Sequence, residues 1–143
     1  MSDIKNIPTI DLKGKQYTEV KDRVMFFRME EQFKGFYLIT EPLTLTDEIA
    51  SFVCRVYNAE GVIVSTGTAY ERAGQGPVNK KDHVENCETS AVGRALAMMG
   101  IGVIDSIASV DELTKAKNNM PAEERTMDNT DAITGKEIKN KGL

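Results

Sequence analysis

Residues 84–102, VENCETSAVGRALAMMGIG, decide the fold. With the preceding Asn79-Lys80-Lys81-Asp82 they read as a central helix over about 80–99, roughly five turns long. Asn79 suits the cap, and Asp82 places an acid where the helix N-terminus favours one. Gly100, with Gly102 behind it, supplies the left-handed stop. Val84, Cys87, Ala91, Val92, Ala95, Leu96 and Met99 recur at helical spacing and should face a core. Ala91, Gly93, Ala95 and Ala97 are small, so other backbone can approach closely. Arg94 is the one charge in the last three turns, with Ser90 a turn before it. An arginine in that setting is either half of an ion pair or a ligand contact.

Upstream, ERAGQGPVNKK (71–81) is a glycine-rich loop made locally basic by Arg72, Lys80 and Lys81. Lysines beside a helix start suit a phosphate, although the pattern is not that of a nucleotide P-loop. Before the loop, 48–57 and 62–70 alternate as two strands of a hairpin, with Gly61 in the left-handed position of the loop Ala59-Glu60-Gly61. Pairing position 58 with 62 puts Ala50, Phe52, Cys54 and Val56 on one face with Val64, Thr66, Thr68 and Tyr70. That face is the expected core. The other face carries Arg55 and Tyr57 among small residues, either as a groove floor or as a half-buried pair at a sheet edge. A short strand is expected near 36–41, ended by Pro42. Tyr17, Val20, Val24 and Phe27 define one side of an N-terminal helix over about 18–33, and Gly35 ends it. Lys21 and Arg28 lie nearer its polar side.

The flanks are simpler. Residues 1–14 read as a flexible arm whose Ile7, Ile10 and Leu12 either pin it to a neighbour or form a short strand. Ser109-Val-Asp-Glu112 is a capping box for a short C-terminal helix reaching about Lys117. The polar residues 118–143 read as a disordered tail. The expected fold class is therefore α+β: an antiparallel sheet packed on a long central helix within a single domain, 15–117.

Composition bounds the function. Hydrophobic residues at 41% and charged residues at 28% are those of a soluble globular domain, expected in the cytoplasm. No apolar run approaches membrane-spanning length, and the start of the chain has no signal-peptide core. Cys54 and Cys87 form no metal or redox motif and read as two buried, reduced thiols. The net charge is −4, with no basic excess in either part of the chain: 12 Lys+Arg against 14 Asp+Glu over 1–100, and 6 against 8 over 101–143. A polyanion site must therefore be a local cluster. His83, Glu85 and Cys87 form H-x-E-x-C, half of a zinc-deaminase pattern. The P-C-x-x-C half is absent, and the three positions do not share a helix face. Glu85 and Glu88 are one turn apart, with no further acids converging on them. No catalytic residue, metal or cofactor is expected.

The order helix, hairpin, Gly-rich loop and helix, with Phe52, Val53, Arg55, Val56, Glu60-Gly61, Gly67 and Tyr70 leading to Glu88-Thr89 and Gly93-Arg94-Ala95-Leu96 and closing on Gly100, resembles a known group. It is similar to the single-strand annealing proteins of the Rad-fifty-two-like superfamily, of the Erf and Sak types carried by bacteriophages. That resemblance covers roughly 15–113. It implies a homo-oligomeric ring or filament that binds single-stranded DNA without catalysis, and anneals strands in phage recombination or replication in the cytoplasm of a bacterial host. It implies DNA contacts at Arg55, Arg72, Lys80, Lys81 and Arg94, beside Ser90, with Tyr57 or Tyr70 available to stack bases. It also implies partners among phage or host recombination and replication proteins. The alternative is an oligomer of the same fold that binds host or phage proteins rather than DNA, as the net negative charge favours.

Overall fold

The computed structural model describes residues 7–74 and 82–113. The first element is a small hairpin, β1 (Ile10–Leu12) and β2 (Lys15–Tyr17). Lys13 and Gly14 form its two-residue turn at φ 55° and 83°, the left-handed pair that a tight hairpin requires. The arm is thus structured from residue 7 onward, and Ile7 is buried in the main core.

Helix α1 (Val20–Met29) follows. Its first free N–H, on Val20, donates to the Asp111 carboxylate at 2.8 Å, so a distant residue does the capping. The helix is shorter than the expected 18–33. Glu30 turns extended at ψ 134°, and the chain continues as a single 3₁₀ turn, Glu31–Phe33. That break folds Phe33 and Phe36 back onto Phe27, with ring centroids 5.4–6.5 Å apart.

Strands β3 (Tyr37–Leu45), β4 (Ile49–Tyr57) and β5 (Ile63–Arg72) form one antiparallel sheet with β4 in the middle. β3 runs past Pro42 instead of ending there. It is an edge strand with a bulge between Pro42 and Thr44, where a missing N–H is tolerated. Thr46 Oγ1 accepts from the N–H groups of Glu48 and Ile49 and turns the chain into β4. At the next turn Asn58 Oδ1 accepts from Glu60 and Val62, and Gly61 takes φ 82°. Asn58 N–H also donates to the Val62 carbonyl at 2.9 Å, the expected start of the pairing.

The register then slips. Tyr57 pairs with Ile63, but Val56 pairs with Ser65, so Val64 is the extra residue of a bulge. Every later side chain of β5 changes face. The core face of β5 is Ser65, Gly67, Ala69 and Glu71, while the expected Val64, Thr66, Thr68 and Tyr70 face outward. The reason lies in the helix above: only small residues leave room for its backbone.

That helix is α2 (His83–Ala97), 15 residues. It is not the long central helix expected over 80–99; at its C-terminal side the helix closes before Gly100. Gly100 N–H donates to the Ala97 carbonyl at 2.8 Å and Ile101 N–H to the Leu96 carbonyl at 3.2 Å, with Gly100 at φ 90°. These are the two bonds of a Schellman stop, and Leu96 and Ile101, both buried, form its apolar contact. α2 lies across β4 and β5, and its Ala91 and Ala95 join Ala50, Phe52, Cys54 and Val56 in the core. Gly93 faces the side chain of Val20, which seats α1 against α2. Beyond α2, Ser109 caps a helical turn at 110–113, accepting from Glu112 N–H at 3.2 Å, as the capping box predicts. The expected tail, 118–143, lies outside the described residues. The class is α+β, with antiparallel sheets of two and three strands.

Candidate nucleic-acid interface

The predicted site residues fall into two groups on opposite faces of the sheet. Arg55, Tyr57 and Arg72 stand on the outer face, away from the helices. Arg55 Nη1 lies 2.6 Å from Glu41 Oε1, and this pair holds the guanidinium charge above its ordinary pKa. Tyr57 stacks on Tyr37 at 4.9 Å, nearly parallel. The Arg72 guanidinium lies over the Tyr70 ring at 5.8 Å.

Ser90 and Arg94 belong to α2, on the inner side. With Thr68, Ala69, Tyr70 and Glu112 they line a crevice of about 290 Å³ beside β5. Ser90 is buried, so it shapes the crevice floor rather than projecting to a ligand. Arg94 is half-exposed, with Nη1 3.3 Å from Glu112 Oε1. Among the described residues Arg55 and Arg94 therefore stand on different sides of the sheet and do not share one groove floor. Lys80 and Lys81 lie outside the described residues, as does Asn79.

A cation the sequence reading passed over holds the helical layer together. Arg23 on α1 is fully buried. Its Nε donates to Thr18 Oγ1 at 2.9 Å and its Nη1 to the Gly93 carbonyl at 2.9 Å. Its Nη2 donates to the carbonyls of Gly102 at 3.2 Å and Ile107 at 3.0 Å. Burial pushes its pKa down, and the nearby carboxylates of Glu112 and Asp111 favour the charge. Arg23 therefore joins α1 to the last turn of α2 and to the connector that carries Glu112 up to Arg94. Its only sequence signal was its position beside the apolar face of α1.

The residues of H-x-E-x-C separate as helical geometry requires. His83 and Cys87 are buried, and Glu85 is exposed. His83 Nε2 hydrogen-bonds the Thr46 carbonyl at 2.8 Å, which assigns its proton to that nitrogen. Among the described residues no group of three His, Cys, Asp or Glu converges on a metal position. Glu88 accepts from Thr40 Oγ1 at 2.6 Å and so ties α2 to β3.

Both cysteines are buried and unbridged. Burial pushes the Cys54 thiol up to about 11, with a smaller contribution from Glu88. The raised value stabilises the fold fully below the ordinary thiol pKa of 9.0 and ceases to do so as pH rises through about 11. Urea midpoints should therefore fall between these two values by the equivalent of on the order of 2 kcal/mol. Cys54→Ala should be less stable at neutral pH but should lack this alkaline loss. An unchanged alkaline limb in Cys54→Ala would assign the loss to other groups.

Among the described residues no helix is long and apolar enough to cross a membrane. No curated protein and no solved structure matches the chain. A family model does match, over residues 27–99, from the end of α1 through the sheet to the end of α2. Its description is Slr1353 N-terminal dsRNA-binding domain-like. This overturns the likeness to the Rad-fifty-two-like annealing proteins. The features that carried that likeness have structural explanations here. Gly67 and the alanines of α2 are where sheet and helix touch, Gly93 receives Val20, and Gly100 ends the helix. The match spans half of the 143 residues, and the chain belongs to the Slr1353 N-terminal dsRNA-binding domain-like family.

Proposed function

We propose that this domain is a non-catalytic, cytoplasmic nucleic-acid-binding module whose ligand is double-stranded RNA. The family match over 27–99 carries the reading. The physical chemistry fits it. Duplex RNA is recognised by shape, through phosphates and 2′-hydroxyls spread over about 16 base pairs, so a module needs a few dispersed cations rather than one deep basic pocket. In the helical layer, Arg28 is exposed on α1 and Arg94 is half-exposed on α2. Lys80 and Lys81 precede α2 in the sequence, separated from it by Asp82, and would add two cations for phosphate. Single-stranded DNA is the competing ligand. It would use the outer-face group Arg55, Tyr57 and Arg72, where Arg55 is paired with Glu41 as Arg94 is with Glu112.

The test is binding of a labelled RNA duplex to the full chain and two variants. Lys80→Ala/Lys81→Ala should weaken binding about tenfold or more and reduce the slope of log affinity against log salt by about 2. Arg94→Ala should reduce that slope by about 1 with the fold intact. Parental affinity and slope in both variants would refute the helical layer as the binding side.

A further inference from the structure

The outer face of the sheet is uncovered by any described element, because both helices pack on the opposite side. Its exposed apolar side chains gather at one end, where Tyr37, Ile39 and Ile63 are 41%, 51% and 48% exposed and Tyr57 stacks on Tyr37. Tyr70, 53% exposed, stands at the other end beyond Thr66 and Thr68. Exposed apolar clusters on an uncovered sheet mark interaction surfaces.

We infer that this face binds a second copy of the same chain, sheet against sheet, to form a two-fold dimer. Two observations select this occupant. The first is charge. The centre of the face holds one acid and one base side by side, Glu41 and Arg55, 2.6 Å apart. A polyanion would meet a cation already neutralised, with Arg72 at the strand end as the remaining cation of the three strands' outward positions. A two-fold partner instead presents an Arg55 for each Glu41 and a Glu41 for each Arg55, so the face is complementary to itself.

The second observation is size. Strands of nine to ten residues, three abreast, give a footprint of roughly 30 Å by 14 Å, or about 400 Å² before side-chain relief. Stable complexes use about 800 Å² of accessible surface per partner. A face of this footprint, roughened by three tyrosines, falls at the small end of interface sizes, where association is weak. The expected dimer is therefore reversible, with a dissociation constant on the order of 10 μM. Two such sheets would pack about 10 Å apart with their strands roughly aligned.

The inference does not rest on the nucleic-acid reading, and its test contains no nucleic acid. Sedimentation equilibrium of the full chain should show the mass rising with concentration from 15.8 kDa toward twice that value. Ile39→Glu, a change at a half-exposed position, should leave the far-UV circular dichroism unchanged and weaken association at least tenfold. Arg55→Glu should weaken it similarly by setting acids against acids, and Glu41→Arg/Arg55→Glu should restore it. A chain that stays monomeric well above that concentration would overturn the proposal, and would leave the tail beyond residue 113 as the occupant to test. Association that survives Ile39→Glu and Arg55→Glu would place the dimer on another face.

Discussion

Gly67→Ala is expected to remove a large share of the domain's stability and to lower its urea midpoint accordingly. Gly67 sits in β5 opposite Cys54, directly beneath α2. A Cβ there would lie 2.4 Å from the Ala95 nitrogen, 2.7 Å from the Ala91 carbonyl oxygen and 2.9 Å from the Ala95 Cα. All three are backbone atoms of a helix, so no rotamer change can relieve the clash. Either α2 lifts from the sheet, opening voids around Phe52, Cys54 and Leu96, or β5 shifts against β4. Overpacking of this kind costs on the order of 3 kcal/mol or more, against a total stability of roughly 5–15 kcal/mol for a domain. Gly14→Ala is the control. Nothing lies within 4 Å of its Cβ position, and only its φ of +83° opposes the change. That strain costs about 1–2 kcal/mol. Urea denaturation of the two variants should separate them clearly. Equal midpoints would mean that α2 does not rest on Gly67.

Removal of the Arg23 guanidinium is expected to have an effect of similar size by a different route. Arg23→Ala removes the shared donor of the carbonyls of Gly93, Gly102 and Ile107 and of the Thr18 hydroxyl, and leaves Thr18 and Gly102 only the bond between them. It also opens a cavity between α1 and α2. Breaking a buried charged network from one side costs about 3–5 kcal/mol. Arg23→Lys should recover little of this. An ammonium is a point donor on a flexible stem and cannot span acceptors that a planar fork reaches in three directions. Thermal melts of the parent and the two variants test this. Parental stability in Arg23→Lys would show that charge alone, and not the fork, is required.

Both predictions concern features only half legible in the sequence. Local signals were read correctly where they were complete within a few residues: the Gly100 stop, the Gly61 turn with position 58 paired to 62, and the Ser109 capping box. The face of β5 was misread because a single-residue bulge at Val64 leaves no mark on a period-two pattern. The β-branched Val64, Thr66 and Thr68 look more like core than Ser65, Gly67 and Ala69 do. The correct signal was present elsewhere. Alanines at 91 and 95 imply a close approach, and a close approach demands a small partner. Arg23 was missed because its acceptors are backbone carbonyls 70 to 84 residues away, with no side-chain pattern to announce them. Among the proposed contacts, Arg55 and Arg94 were picked as cations among small residues. The sequence could not show that Glu41 and Glu112 pair with them. The same small-residue helix suggested the wrong family, since glycine and alanine at these positions report packing before they report ancestry.

Nucleic-acid binding with a preference for duplex RNA is tested by fluorescence anisotropy of the full chain with a labelled RNA duplex of about 20 base pairs, at low and moderate salt, with unlabelled oligo-dT and single-stranded RNA as competitors. Saturable duplex binding that weakens steeply with salt and is displaced poorly by either single strand is the expected result. No duplex binding at low salt, or tighter binding of oligo-dT than of duplex RNA, would contradict it.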